Sequence, residues 1–276
     1  MKNQRKLMLF FLFFLIFSFY ALSIERPFHT EDMNFLERGD VELQFGISYF
    51  DSYKNFYSNL DGDLFKFGEI NLRFGLSDNT ELDISWTAHN YYSLDSSVSG
   101  GNFSFTGDDT DDWGDARITT KIKILGETPA TPGIGMKFQI KLPNSDDTKG
   151  IGLDTTDFFG TFIFQKGVGR LMLFTEVGLA IYGDPREGSN QIDKFVYGIG
   201  GTYKLNDYID IVGEIYGNAF HDTEIYPNHG NIMGGLRLKT GNLRWDAGVC
   251  AGINNDNTYD YGFTFGLSYL LKGVFH

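Results

Sequence analysis

From residue 41 to near the C-terminus, apolar and polar residues alternate with a period of two. That pattern marks strands whose two faces meet different environments. The first segment, 41–49, sets Val41, Leu43, Phe45, Ile47 and Tyr49 against Glu42, Gln44, Gly46 and Ser48. The clearest, 134–142, sets Ile134, Met136, Phe138, Ile140 and Leu142 against Gly135, Lys137, Gln139 and Lys141. Ten more segments fall at 69–76, 82–89, 117–124, 158–165, 171–181, 194–203, 209–219, 232–239, 243–253 and 261–269. Of these, 158–165 is apolar on both faces and carries the faintest pattern. Most segments approach the ~9–11 residues that a tilted strand needs to cross a bilayer. Strands of soluble sandwiches run to about five or six.

The connections alternate in length. Short turns fall at 77–80, 126–133, 166–170, 204–208 and 240–242, and longer polar loops at 50–63, 92–112, 143–157, 182–193 and 220–230. A last, short loop is expected at 254–258. Short periplasmic turns and long external loops are the habit of outer-membrane barrels. The count is even and both chain ends return to the short-turn side. The expected fold is an all-β, transmembrane, antiparallel up-and-down β-barrel of about twelve strands, occupying 40–276.

Charge strengthens this picture. Arg117, Lys121, Lys123, Lys137 and Lys141 form a basic row on the polar face, which also carries Arg73, Arg237 and Arg244. Glu42, Glu69, Asp83, Glu176, Glu214 and Asp246 are expected to face that row across the lumen. In a dry sandwich core each unpaired charge would cost several kcal/mol, whereas a barrel offers a hydrated interior. Such a lining suits either a polarised constriction that selects anions or orients a permeant, or a salt-bridged lumen that passes little. A barrel of about twelve strands lies between the filled and open extremes, and the balance tilts to the second.

The N-terminus sets the compartment. Lys2, Arg5 and Lys6 precede an apolar run from Leu7 to Phe17, and Ala21-Leu22-Ser23 places small residues at −3 and −1. This is the layout of a secretory signal peptide, 1–23; the run is short for a membrane-spanning helix. Cleavage after Ser23 leaves 253 residues with 20 Lys+Arg against 36 Asp+Glu, a formal charge of −16, which disfavours nucleic-acid partners. Residues 24–39 then form either a periplasmic segment or a lumen plug. The single Cys250 excludes an internal disulfide and reads as a small packing residue of the lumen.

Other chemistry is thin. The acidic stretch Asp108, Asp109, Asp111 and Asp112, with Asp95 and Asp115 nearby, offers oxygen ligands, but its spacing departs from an EF-hand. Solvated loop charge that shares cations with lipopolysaccharide fits it better. A barrel hydrolase needs His and Ser close together on one strand face, and no His-x-Ser occurs; Ser93 lies past the strand that holds His89. His221-Asp222 sits on an outer loop without a paired Asp. The chain is therefore expected not to be an enzyme and to need no cofactor or metal. Tyr49, Phe50, Tyr91, Tyr92, Tyr182 and Tyr203 read as interfacial girdles.

Several stretches resemble known patterns. Thr264 to Leu271, with Gly266 and Tyr269, resembles the C-terminal sorting strand of outer-membrane proteins, although the chain continues to His276. That likeness implies the barrel-assembly machinery as a partner. Over 66–182, three motifs resemble the outer-membrane family named for the meta-pathway of phenol degradation. They are Arg73-Phe74-Gly75-Leu76-Ser77-Asp78 with Glu81-Leu82, Trp113-Gly114-Asp115-Ala116-Arg117, and Lys141-Leu142-Pro143 with Gly150-Ile151-Gly152. Phe74, Trp113 and Asn144 depart from that family's usual Tyr, Gly and Thr. The resemblance implies an outer-membrane channel or uptake protein for small molecules, apolar or aromatic compounds among them. The alternative is a structural or surface-interaction barrel that contacts outer-membrane lipid and lipopolysaccharide.

Overall fold

The computed structural model describes residues 26–275 apart from 57, 96–98, 101–102, 105–106, 186–189, 221–225 and 254–258. The expected signal peptide, His221-Asp222 and the 254–258 loop lie outside the described residues.

Twelve long strands form one closed antiparallel barrel. In chain order they are β1 (Val41–Asn55), β2 (Leu60–Ser77), β3 (Thr80–Leu94), β7 (Arg117–Leu125), β8 (Gly133–Lys141), β9 (Asp157–Val168), β10 (Leu171–Gly183), β11 (Gln191–Lys204), β12 (Ile209–Ala219), β13 (His229–Thr240), β14 (Leu243–Gly252) and β15 (Tyr261–Leu271). Each pairs with its neighbours in sequence, and β1 closes the ring on β15 through Val41↔Leu271 to Asp51↔Tyr261. Closure leaves no long edge to be satisfied. Three short strands decorate the long-loop end: β4 (Ser99–Gly100) and β5 (Phe103–Ser104) pair together, and β6 (Asp109–Asp112) pairs with β3 beyond the reach of β7.

The alternation read from the sequence sorts the two faces. Leu43, Phe45, Phe162, Leu179, Ile199, Leu236, Val249 and Phe263 are exposed on the outside, while Glu42, Arg73, Lys121, Glu176 and Glu214 are buried within. Closure puts apolar side chains toward lipid and gathers the charges in one interior. Even the faint segment obeys it, because Phe158, Phe162 and Phe164 are exposed while Ile163, Thr161 and Gln165 are buried.

One irregularity changes what points inward. Gly46 opposes Glu69 but Ile47 opposes Phe67, so Gly68 is an extra residue, held at φ +68°. Only glycine adopts that conformation readily, and a Cβ there would lie 2.9 Å from the Cβ of Ala88. Beyond this bulge the alternation changes parity on both strands: Leu64 and Lys66 on β2, and Asn90 and Tyr92 on β3, face the interior. His89, which plain alternation sets on the polar face with Asp83, Ser85 and Thr87, instead lies exposed 3.8 Å from Asp111. Tyr92, expected in the girdle, is buried, and its hydroxyl donates to the Leu60 carbonyl at 2.9 Å.

Candidate functional site

The interior is not an open hydrated tube along its whole length. Residues 26–40 run inside the barrel and are held there largely by inward carboxylates. The amides of His29 and Thr30 donate to the two oxygens of Glu214 at 2.7 and 2.9 Å. The amide of Glu31 donates to Glu176 at 2.9 Å, that of Met33 to the side-chain carbonyl of Gln165 at 2.8 Å, and that of Leu36 to Glu81 at 2.8 Å. Arg26 reaches Glu69 and Asp246, both at 3.5 Å, and its carbonyl accepts from Nε of Arg237 at 2.9 Å. The wall makes room by omitting side chains: a Cβ on Gly198 would meet Oγ1 of Thr30 at 2.2 Å. At the short-turn end the two ends of the barrel meet, Val274 donating to the Gly39 carbonyl at 2.7 Å.

The expected lumen charges therefore serve two duties. Arg73 is fully buried and bonds Glu42 and Glu81, with Asp83 at 3.6 Å. Lys121 contacts Glu81 at 3.2 Å and Glu31 at 3.4 Å. Lys137 bonds Glu176, Lys141 reaches Asp157 at 2.9 Å and Asp115 at 3.3 Å, and Arg244 reaches Glu42 at 3.1 Å. Apart from Lys121–Glu31, which ties the wall to the lumen segment, these pairs run along the wall between nearby strands and not, as expected, across the lumen. Short wall-to-wall reach and mutual pairing offset the desolvation of each charge. Of the remaining expected acids, Glu214 takes the backbone amides of His29 and Thr30, while Glu69 and Asp246 contact the Arg26 side chain of the lumen segment. Lys123 sits near the short-turn rim, half-buried, with its ammonium 4.6 Å from the Phe35 ring and bonded to the Asp78 carbonyl. Arg237 is fully buried over the Phe28 ring, 4.7 Å from its centre.

Toward the long-loop end the interior opens. A cavity of about 470 Å³ is walled by aromatic side chains, and two smaller ones of about 200 and 130 Å³ adjoin it. Phe50 and Tyr182, expected in the girdle, line the large cavity, where Tyr182 stacks on Tyr226 at 4.4 Å. For both, plain alternation leads inward, from Glu176 to Tyr182 and from Glu42, Gln44 and Ser48 to Phe50. Tyr91 and Tyr203 are exposed outside, as expected. Cys250 is buried beside Tyr259. Arg117 is the one member of the basic row that is exposed, and it borders all three cavities. Lys66 borders two of them. Sequence reasoning passed over Lys66, which precedes the segment 69–76. The available signal was the break at Gly68, where Phe65 and Phe67 fall out of phase with Ile70 and Leu72.

The family-like motifs cluster at two contacts. Arg73 and Glu81 of the first motif bond each other, and Asp115 of the second meets Lys141 of the third. The Asp115 carboxylate also accepts from the amide of Ser145 at 3.0 Å and its hydroxyl at 2.6 Å. The acidic loop is engaged piecemeal: Asp109 accepts from the Tyr91 hydroxyl, and Asp112 from the amide of Asp146. Among the described residues no group of three or more His, Cys, Asp or Glu is arranged to hold a metal ion.

No protein-family model matches the chain, and no curated protein matches its sequence. Solved structures do match its fold. The COG4313 outer membrane channel from Pseudomonas putida F1 aligns over 88% of this chain and 100% of that one, with a TM-score of 0.65 and 15% identity. LpxR from Salmonella typhimurium covers 83% of this chain and 99% of its own at TM-score 0.47 and 7% identity. Outer membrane phospholipase A from Escherichia coli covers 84% and 93% at TM-score 0.42 and 14% identity. The first of these shares the barrel fold; the other two are too distant to carry any argument.

Proposed function

We propose that this chain is an outer-membrane channel that admits small molecules, aromatic compounds among them, at its long-loop end, and that residues 26–40 plug its onward route. One observation carries the reading: three cavities adjoin inside the barrel and all of them border Arg117. Linked cavities in a closed barrel make a pathway, which a solid lumen of this size would not. The fold shared with a solved outer membrane channel supports it, and the hairpin motifs that resemble the phenol meta-pathway family support the aromatic part. The exposed apolar belt and the signal-like 1–23 support an outer-membrane location, with lipid and lipopolysaccharide as surroundings and the β15 strand as the mark read by the barrel-assembly machinery. No catalytic step is assigned, and His89 lies on the outer face away from the cavities.

Full-length protein refolded into planar lipid bilayers tests this, beside a variant lacking 26–39. Small discrete openings are expected for the whole chain and larger steps for the deletion. Silence from both, with the barrel shown to be folded, would leave the structural or surface-interaction barrel in its place.

A further inference from the structure

The inner wall pairs most of its cations. Arg73, Lys121, Lys137, Lys141 and Arg244 each have a carboxylate within 3.6 Å. Arg237 is occupied by the Arg26 carbonyl and the Phe28 ring. Lys66 and Arg117 differ. Among the described residues neither has a carboxylate within ion-pair distance, and both border the large cavity and the smaller one beside it. Glu69, the next inward acid on β2, is taken by Arg26 and by the Ser48 hydroxyl at 2.6 Å. Glu176, which also borders the large cavity, is held by Lys137, the Thr161 hydroxyl and the Glu31 amide. Asp115, which borders the smaller cavity, is likewise taken by Lys141 and Ser145, so among the described residues no carboxylate is ion-paired with either cation.

The walls of the same cavity are aromatic. Phe50 offers its ring to the Lys66 ammonium at 5.2 Å, Tyr182 and Tyr226 stack at 4.4 Å, and Tyr216 stacks on His29 at 4.2 Å. His29 belongs to the lumen segment and adds its ring to the cavity wall. A volume of about 470 Å³ is in the range of pockets that enclose a small organic ligand. A guanidinium exposed to the cavity and a half-buried ammonium, neither ion-paired among the described residues, call for an anion that hydrogen-bonds both. Flat aromatic walls call for a ring.

We propose that this vestibule binds aromatic carboxylates, the carboxylate held between Arg117 and Lys66 and the ring packed among Phe50, Tyr182 and Tyr226. This deepens the channel reading and rests on it for its place in transport, although binding itself requires no passage. The fork of Arg117 suits two carboxylate oxygens, and Lys66 supplies a second charge. Neither half of the ligand suffices alone: a small aliphatic acid lacks the ring contacts, and a neutral aromatic alcohol leaves both cations unmatched.

Isothermal titration of the refolded full chain in detergent, with benzoate, benzyl alcohol and acetate, tests this. Benzoate is expected to bind at least about tenfold more tightly than either comparator, a factor equal to ~1.4 kcal/mol. R117Q and K66Q should each weaken benzoate by about that factor while leaving benzyl alcohol unchanged. R117K, which keeps the charge but not the fork, should fall between wild type and R117Q and covers the case in which R117Q fails to fold. Equal binding of benzoate and benzyl alcohol, or unchanged benzoate binding in the folded variants, would overturn the site. Bilayer recordings separate the two claims. Benzoate binding without conductance retains the site and removes the channel, whereas conductance without selective binding does the reverse.

Discussion

The amide of Thr30 donates to Glu214 at 2.9 Å in the middle of the barrel, joining residues 184 positions apart in the chain. The same carboxylate takes the amide of His29 with its other oxygen. A charge that alternation alone assigns to a wet lumen is thus the clamp on a peptide segment, since a buried carboxylate and two backbone amides satisfy one another.

Replacing Glu214 with Gln therefore turns an NH₂ group toward one of these amides, a donor against a donor. The expected loss in docking of residues 26–40 is about 1–3 kcal/mol. Limited proteolysis of the folded protein reads it: E214Q should be cut within this segment faster than wild type, with the barrel itself uncut.

Gly198 tests the same docking by volume. Its absent side chain leaves the space that Thr30 fills, with Oγ1 2.2 Å from where a Cβ would be. G198V should expel the segment around Thr30 while β11 keeps its pairing, because valine suits a strand. Larger single-channel steps at unchanged far-ultraviolet circular dichroism are the expected result; unchanged steps would detach the segment from control of the lumen.

Arg73 carries a different burden. It is fully buried among Glu42, Glu81 and Asp83, so R73M leaves clustered carboxylates without their main cation. Breaking a buried pair in this way costs about 3–5 kcal/mol. Urea unfolding in lipid vesicles should show a correspondingly lower midpoint, whereas K204M, which removes an exposed pair with Asp207, should change it little.

Acid should loosen the loop after β8. Burial raises the Asp115 pKa, but bonds from the Ser145 hydroxyl and amide, with Lys141, more than offset this and hold it below the usual carboxylate value. The folded value is the lower one, so the stabilisation is complete above the unfolded pKa near ~3.9 and is lost as pH falls through the folded value. Trp113, whose indole donates to the Asn144 carbonyl at 2.8 Å, reports this loop. Its fluorescence should shift to the red as pH is taken below about 4, and D115N should show the shifted spectrum already at neutral pH.

The local pattern was sufficient for much of the fold. A period of two over segments long enough to span a bilayer, short turns alternating with long loops and an even count lead to a closed barrel with twelve strands in sequence order. They also assign Glu42, Arg73, Lys121, Lys137, Glu176 and Glu214 to the inner face, because alternation is a property of each strand by itself. What these groups bind there is not local. Glu214 meets Thr30 only when the lumen segment threads the barrel, and Arg244 meets Glu42 only when β1 closes on β15; residues 26–40 carry no periodicity that declares this. The inward turn of Lys66, Asn90 and Tyr92 likewise depends on the bulge at Gly68. One extra residue reverses every side chain beyond it, so Lys66 and Arg117, neither ion-paired among the described residues, came together only in the tertiary structure.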